Sequence, residues 1–465
     1  MSLSSKRPTK TPAPAALALA IALTLGLSTP TPATSDTTAP QAPAFVLVVT
    51  NCDDSGAGSL RDAVASAADG DTIDLTQLTC STITLTSGEI VVPQKGLTIV
   101  GPGANRLSVR RWPTNNYFRI LDFTNASARV DDGNRLEALT LEGGHADDAD
   151  GGCIRTAGDL SVVAAKVTQC TVRATGASGQ SPNLGGGAIF ARNSLHLMSS
   201  TVSYSWIVSE VGHGYFEGGC VYAGLGGLDM RYSAIDNCRI QGGDSAGGAG
   251  AWAMNGAQIF NSTISNNSLT TNSTGHGAGS ALLLFSGGSG GLLIMVNSTI
   301  SGNLSQDGRS VFSWLPAFIY NSTIARNIAT VNQYPAVMIQ GPLTLVSTII
   351  AGNYVGSTND PIVDLSAQVV SGDHNLVTFP QVSMPADTLM VDPHLQYLVD
   401  NGGPTRTLAL AADSPAIDHG SDNANLQWDQ RGAGFPRVIG AAADIGAFEW
   451  RPPDPVFANG FDPPG

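Results

Sequence analysis

Apolar and polar residues along most of this chain follow one pattern that recurs at intervals of 24 to 36 residues. Short apolar–polar alternations, typical of half-buried β-strands, follow one another with no amphipathic helix between them. The clearest copies read Asn-Ser-Thr-Ile and begin at Asn261, Asn297 and Asn321. The apolar residue that ends this motif defines a reference series with its equivalents: Leu139, Val167, Val202, Ile235, Ile264, Ile300, Ile324 and Ile349.

The spacing within this series predicts a solenoid. Its shortest interval is 24 residues, from Ile300 to Ile324, and Gly-rich segments such as Gly186-Gly-Ala-Ile189 precede most copies. About three short strands in 24 residues fit a β-helix coil better than a leucine-rich repeat or a propeller blade. We therefore predict an all-β fold, a right-handed parallel β-helix (solenoid) whose repeats occupy residues 111–383.

Stacking of coils about 4.8 Å apart places equivalent residues in columns. Asn261, Asn297 and Asn321 are predicted to form one such column. Asn267, Asn303 and Asn327 are predicted to form another, and in both columns the stacked amides are predicted to hydrogen-bond from coil to coil. The Asn-Ser-Thr triplets also fit N-glycosylation acceptors, but their fixed place in the repeat favours the structural interpretation.

Both ends of the solenoid need covers. Residues 45–110 are assigned to an N-terminal cap and the first coils. Within them Ser59 and Asp62 resemble a capping box, and Leu60, Val64 and Ala67 share one helical face. The repeat stops near residue 384. An irregular Asp/Pro/Gly-rich module at 384–450 is predicted to cover the other end, followed by a short tail at 451–465.

Composition and charge narrow the possible functions. The chain has 465 residues, of which 13% are charged, and a formal charge of −14, so it would repel nucleic acid. Lys6, Arg7 and Lys10 precede an apolar run from Ala15 to Leu27. This predicts a signal peptide and Pro/Thr-rich leader at 1–35, cleaved between 28 and 44. No later segment suits a transmembrane helix, so we expect a bacterial protein exported to the cell surface, outer membrane or medium.

Export makes the six cysteines candidates for disulfides. Cys153 and Cys170 flank their strands as Cys220 and Cys238 do, at separations of 17 and 18 residues. A bond from Cys153 to Cys220 would skip one coil and span about 9.6 Å, more than a disulfide reaches. We predict Cys153–Cys170, Cys220–Cys238 and, by elimination, Cys52–Cys80.

Three regions resemble known exported proteins. Thr50-Asn-Cys-Asp-Asp-Ser-Gly-Ala-Gly-Ser-Leu-Arg-Asp-Ala-Val64 resembles the entry region of CSLREA-type β-helix proteins. The coils are similar to polymorphic outer-membrane-protein repeats and to the pectin-lyase-like superfold. Asp400-Asn-Gly-Gly-Pro404, Ser414-Pro-Ala-Ile-Asp418 and Asp444-Ile-Gly-Ala-Phe-Glu449 resemble the choice-of-anchor Q module. The resemblance implies a surface-exposed solenoid.

Candidate catalytic residues are few. His213 and His276 stand in Gly-His-Gly motifs similar to those of polygalacturonases, without the Asp partners expected on neighbouring coils. Counting six residues back from the reference series places Ser161, His196, Asp229 and Gln258 on the outward face, with His196 and Asp229 on consecutive coils. These two form either half of an acid–base site or an ordinary cross-strand ion pair.

Candidate binding residues lie in the longer loops. Asp147, Asp148 and Asp150 form either a calcium site or a solvated acidic loop. Trp206, Tyr215 and Phe216 are candidates for stacking on sugar rings. No other cofactor is implied, and the oligomeric state is left open. The sequence therefore favours non-catalytic binding or adhesion to an extracellular polysaccharide or surface. A polysaccharide lyase or glycoside hydrolase acting on an acidic glycan is the alternative.

Overall fold

The protein folds as a parallel β-helix, as predicted. The structure is a computed structural model that describes residues 44–452 except 114–115, 127–132, 178–181, 273–276, 289 and 332–333. The predicted leader at 1–35 and most of the tail at 451–465 lie outside the described residues. Each described coil contributes strands to up to five rows of parallel strands, which we name A to E in chain order.

The strands of rows A and B belong to one continuous sheet. Row A contains β4 (Ile90–Val92), β7 (Leu121–Phe123), β11 (Ile154–Thr156), β16 (Ile189–Ala191), β21 (Val221–Ala223), β26 (Ala251–Met254), β31 (Leu282–Phe285) and β35 (Val311–Ser313). Row B contains β1 (Val46–Val48), β2 (Thr72–Asp74), β5 (Thr98–Val100), β8 (Asn134–Glu137), β12 (Leu160–Val163), β17 (Ser194–Met198), β22 (Gly227–Arg231), β27 (Gly256–Phe260), β32 (Leu292–Val296) and β36 (Ala317–Tyr320). Two longer strands pass through both rows: β39 (Val337–Val346) and β42 (Leu365–Asp373).

Rows C, D and E form three further sheets. Row C contains β3 (Thr82–Leu85), β6 (Ser108–Arg111), β9 (Thr140–Glu142), β13 (Lys166–Thr168), β18 (Thr201–Ser203), β23 (Ala234–Asp236), β28 (Thr263–Ser265), β33 (Thr299–Ser301), β37 (Thr323–Ala325), β40 (Ile349–Ala351) and β43 (Leu376–Val377). Row D contains β10 (His145–Asp147), β14 (Thr171–Ala174), β19 (Trp206–Ser209), β24 (Arg239–Gln241), β29 (Ser268–Thr270), β34 (Leu304–Ser305), β38 (Ile328–Ala329) and β41 (Tyr354–Val355). Row E contains β15 (Asn183–Gly185), β20 (Tyr215–Glu217), β25 (Ser245–Gly247) and β30 (Gly277–Ala278).

The reference series lies in row C and is mostly correct. Val167, Val202, Ile235, Ile264, Ile300 and Ile324 pair from coil to coil. Two members are wrong: Val167 pairs with Leu141, not Leu139, and Ile324 pairs with Ile350, not Ile349. Leu139 follows a corner at Ala138, whose φ is 55°. Ile349 instead belongs to a separate apolar cluster with residues of the C-terminal module.

The predicted N-terminal helix is present as α1 (Leu60–Ser66). The Ser59 side chain accepts a hydrogen bond from the Asp62 backbone N–H, and the Asp62 carboxylate accepts one from Gly58 N–H, so both orphan donors are satisfied. Leu60, Ala63 and Val64 are buried in the main core, whereas Ala67 ends the helix and is only partly buried.

The C-terminal module covers more than the end of the solenoid. Residues 378–391 cross the last coil, where Leu389 bridges to Leu376. The chain then turns back along the outside of row C and includes one antiparallel hairpin, β44 (Leu395–Val399) with β45 (Thr407–Leu410). Gln430, fully buried, donates to Ser262 O and Thr263 Oγ1 of the solenoid. The predicted irregular end cap therefore also packs along the side of the solenoid, against row C.

The two predicted asparagine columns have different roles. In one, Asn267, Asn303 and Asn327 are buried and hydrogen-bond from coil to coil, as predicted, at 2.9–3.0 Å. In the other, Asn261, Asn297 and Asn321 do lie at equivalent positions of successive coils, as predicted. The amide bonds predicted between them are wrong, because their side chains donate to backbone carbonyls of the C-terminal module. The C-terminal module lies against these three coils and offers carbonyl acceptors to their asparagines. Asn297 and Asn321 are only 2% and 0% exposed, which closes them to glycosylation.

All three predicted disulfides are confirmed. Cys153–Cys170 and Cys220–Cys238 each have a Cα–Cα distance of 5.4 Å, and Cys52–Cys80 has one of 6.6 Å. Each lies within the range that a disulfide spans without backbone movement. The first two bonds tie row C to the beginning of row A inside the core.

Candidate functional site

A ladder of aromatic side chains runs along the outside of row A. The middle residue of each strand points outward, which aligns Phe190, Tyr222 and Trp252 on successive coils. Their ring centroids are 4.5 and 4.4 Å apart, with interplanar angles of 17° and 8°. Because these rings occupy one another's faces, the ladder stabilises the stack of coils and offers mainly ring edges to a ligand.

Row E forms a wall beside this ladder, and glycines at positions 185 and 247 allow the two to lie close together. Gly185 pairs with Glu217 and Glu217 with Gly247, while Gly185 N–H donates to Asp150 Oδ1 at 2.7 Å. A Cβ at position 185 would lie 2.9 Å from the Tyr222 ring, so only glycine allows this approach. Asp150, Gly185 and Glu217 therefore follow one another on three successive coils. Because Gly185 has no side chain, a gap separates the two carboxyl groups.

Three further aromatic rings are exposed where the wall and ladder meet. Tyr215, Phe285 and Trp314 are 54%, 43% and 42% exposed. With Glu217 they line a cleft of about 460 Å³ whose floor includes Trp252. Phe285 meets Trp314 edge-on at 5.2 Å, which leaves ring surface free. Exposed flat apolar surface beside a carboxyl group suits a ligand that is both ring-shaped and rich in hydroxyls.

A second cleft lies over the earlier strands of row A, from β11 to β26. It has a volume of about 550 Å³ and is lined by Phe190, Tyr222, Asp150, Arg155 and Arg192. Arg155 is held by a bidentate pair with Asp122, at 2.7 and 2.8 Å, while Arg192 is exposed. We call the two clefts together the aromatic groove.

The carboxyl groups of the groove have unusual pKa values. Burial, followed by repulsion from Asp150, raises the pKa of Glu217 to about 7. Burial also raises the pKa of Asp150, against the hydrogen bond from Gly185 and the nearby charges of Arg119 and Arg155. Burial, Glu217 and Asp150 raise the pKa of Tyr222 to about 12. Perturbed groups of this kind concentrate at functional sites.

The structure gives the predicted acidic cluster separate protein partners. Asp147 accepts from Arg173 and contacts His145 at 2.8 Å, while Asp148 accepts from Thr175 N–H at 2.8 Å. Asp150 faces the groove. Among the described residues no three His, Cys, Asp or Glu side chains converge as a metal site. Whether these three aspartates bind calcium remains a prediction.

The other predicted site residues are dispersed. Tyr215 lies in the groove, but Phe216 is fully buried in the apolar cluster under row E and is wrong as a stacking residue. Trp206 is 47% exposed on row D, in a shallow cleft with Tyr204, away from the groove residues. His213 lies on the exposed turn before β20, and His276 lies outside the described residues.

The predicted pairing of His196 with Asp229 is present on row B. The two residues are paired in register, and His196 Nδ1 lies 3.6 Å from Asp229 Oδ2. Both side chains are about one-fifth exposed and line a cleft separate from the aromatic groove.

Sequence reasoning missed Glu217, Tyr222, Trp252, Phe285 and Trp314. The sequence did contain a signal for the first three. The row A strands from β11 to β26 begin after Gly-Gly or Gly-Ala pairs, and these pairs lie at equivalent positions of successive coils. The residues just before these starts are Asp150, Gly185, Glu217 and Gly247. Alignment on these glycines, instead of on the row C series, would have placed both carboxyl groups in one column.

Comparison with known proteins adds little to this picture. No family model matches the chain, and no curated protein matches it. The crystal structure of pectate lyase Pel9A is similar at a TM-score of 0.47 and 12% identity, covering 88% of this chain and 97% of that one. A similarity of this size has no bearing on the function of the chain. Within the described residues, no helix has the length and apolar character needed to cross a bilayer.

Proposed function

We propose that this protein binds a polysaccharide in the aromatic groove. The observation that carries the proposal is the set of three exposed rings, Tyr215, Phe285 and Trp314, around one cleft that also presents Glu217. Sugar rings have apolar faces and hydroxyl edges, so they match a site of flat apolar surfaces with a few polar groups. The groove extends over several coils, as a polymer requires and a small ligand does not.

The proposal includes export to the bacterial surface or medium. Three disulfides that account for all six cysteines are typical of oxidising compartments. The apolar run from Ala15 to Leu27 supports the same conclusion. The segment from Thr50 to Val64 resembles a CSLREA-type entry region, and the motifs at 400–404, 414–418 and 444–449 resemble the choice-of-anchor Q module. Both resemblances support the proposed export.

Replacement of Trp314 by alanine tests the site. A glycan array probed with the full chain, with and without Ca²⁺, identifies the bound polysaccharide, and titration calorimetry then measures its affinity. Loss of one stacking ring is expected to weaken binding by about tenfold, since aromatic contacts contribute about 1 kcal/mol beyond the area that they bury.

Tyr397→Ala is the matched control, because this ring is 78% exposed on the C-terminal module. Binding that falls equally in both variants, or in neither, would contradict the proposed site.

A second candidate function is hydrolysis of the bound glycan, and one observation favours it. Asp150 and Glu217 are two coils apart, about 9.6 Å between Cα atoms, a backbone separation compatible with the roughly 6.5–9.5 Å between the carboxyl groups of inverting glycosidases. The pKa of Glu217, about 7, keeps a proton available for the leaving oxygen at neutral pH. Asp150 is held by Gly185 N–H as the base for a water molecule.

Glu217→Gln separates binding from hydrolysis. If hydrolysis occurs, release of reducing ends should fall at least 100-fold in the variant, because general acid catalysis contributes about 10²–10⁴-fold, while binding persists. Glu210→Gln is the control, as Glu210 is exposed and pairs with Arg173 outside the groove. A wild-type chain that binds a glycan and releases no reducing ends from it excludes this second function.

A further inference from the structure

Row B carries four chemically active side chains in one column. Parallel pairing aligns Arg135 with Ser161, Ser161 with His196, and His196 with Asp229. A cation, a hydroxyl, an imidazole and a carboxylate therefore follow one another on four consecutive coils, about 4.8 Å apart. All four side chains are partly exposed on the outer face of the solenoid.

His196 and Asp229 have the relation of a base and its positioning carboxylate. His196 Nδ1 faces Asp229 Oδ2 at 3.6 Å, and Arg231 Nε donates to both carboxylate oxygens of Asp229, at 2.9 and 3.2 Å. Burial opposes the charge of Asp229, but the contacts with His196 and Arg231 outweigh it and lower the pKa of this carboxyl. The carboxylate is thus held ionised against one nitrogen of the imidazole.

The other nitrogen of His196 is not used within the described structure. Nε2 is shut off from solvent and has no hydrogen-bond partner among the described residues. A buried polar atom without a partner is costly and needs an explanation. An ordinary cross-strand ion pair accounts for Nδ1 and leaves Nε2 unexplained.

Ser161 is the hydroxyl nearest to His196 in this column. No hydrogen bond joins the two side chains in this structure, although such bonds are often long in ligand-free enzymes. Arg135 lies on the other side of Ser161, with Nε bound to Glu137 at 2.8 Å. Beside the column, Val163 pairs with Met198, which is 42% exposed, so an apolar surface adjoins the hydroxyl.

We propose that Ser161, His196 and Asp229 form a hydrolytic site for carboxylic esters, with Ser161 as nucleophile, His196 as base and Asp229 as positioning residue. The fitting substrate is a short acyl ester on a large, flat molecule, because the site lies on an open face instead of in a deep pocket. An O-acyl group on a polymer has this form. The inference is independent of the aromatic groove.

The reaction balances without a cofactor. Ser161 Oγ attacks the ester carbonyl while its proton moves to His196 Nε2, and the Arg135 guanidinium is placed to stabilise the developing oxyanion. The carbon–oxygen bond to the alcohol breaks, and His196 returns the proton to the leaving oxygen. Water then attacks the acyl-Ser161 ester by the same route and releases a carboxylic acid.

A fluorophosphonate probe tests the nucleophile directly, since it labels serines activated by a base. The full chain is incubated with the probe, and peptide mass mapping locates the adduct. The expected result is one adduct at Ser161, formed at least 100-fold more slowly in His196→Gln and Asp229→Asn, with p-nitrophenyl acetate hydrolysis falling in parallel. Both replacements are close in size to the natural side chains, and melting curves verify that the variants fold.

Ser371→Ala is the control, because Ser371 is an exposed serine near the other end of row B, next to Thr344. It should leave labelling and hydrolysis unchanged. A folded wild-type chain without an adduct at Ser161 overturns the inference. So does labelling that is unaffected by His196→Gln and Asp229→Asn.

Discussion

Replacement of Asn303 by alanine is expected to destabilise the protein by about 4 kcal/mol. Asn303 Oδ1 accepts hydrogen bonds from the backbone N–H and the side-chain amide of Asn267, at 3.0 and 2.9 Å, and its own amide donates to Asn327. These groups are fully buried. Alanine leaves the backbone N–H of Asn267 without a partner and its side-chain amide with only a 3.4 Å contact to Ile235 O. Each lost hydrogen bond costs about 1–3 kcal/mol, and the substitution also opens a small cavity.

Denaturant unfolding followed by circular dichroism measures this effect. Asn423→Ala is the matched control, because Asn423 is exposed and its side chain makes only long contacts of 3.4 Å with Asp373 in the described structure. The control should change the unfolding free energy by less than about 0.5 kcal/mol, as surface substitutions usually do. A loss at Asn303 no larger than that of the control would show that the asparagine column does not hold the coils together.

Replacement of Glu217 by glutamine is expected to raise the free energy of unfolding above that of the wild type, and to do so more at pH 8 than at pH 4. In the folded chain Glu217 keeps its proton up to about pH 7, whereas the unfolded chain releases it near pH 4.5. The folded state binds more protons between these values, so wild-type stability falls as pH rises through this window and stays lower above it. Glutamine does not titrate and removes this loss, which is on the order of 3 kcal/mol.

Melting temperatures of both proteins between pH 4 and pH 8 measure the difference. Glu449, whose pKa is also about 7, and Asp364, at about 6, produce similar trends in both proteins, so their effects cancel in the comparison. Glu210→Gln serves again as the exposed control. A wild-type-minus-variant difference that is constant across this range would mean that Glu217 is not buried beside Asp150 as described.

The solenoid could be predicted because the row C side chains that point into its core are apolar in every coil, which makes the repeat visible in the sequence. Val167, Val202 and Ile235 must be apolar wherever the loops lie, so their periodicity survives insertions. The same logic located the disulfides, since both cysteines of each pair point into the core. It failed at Ile349, where an outward residue is apolar because the C-terminal module covers it.

The candidate site was harder to predict because it depends on outward residues. Asp150 and Glu217 are 67 positions apart in the sequence, and loops of unequal length separate their coils. Only the pairing of Gly185 with Glu217 in row E, together with the hydrogen bond from Gly185 N–H to Asp150, brings them into one column, and that row was not expected. Phe216 shows the converse error: it alternates with Tyr215 and Glu217, and the sequence alone does not reveal which face of such a short strand is covered.

Hydroxyl-radical footprinting of the full chain, with and without the glycan identified on the array, shows directly whether the aromatic groove is the binding site. We expect reduced oxidation of Tyr215, Phe285 and Trp314 in the presence of the glycan. Trp206, Trp112 and Tyr397, which are similarly or more exposed, should be unaffected. Protection of Trp206 with no change at Trp314 would place binding on row D and contradict the assignment of the aromatic groove.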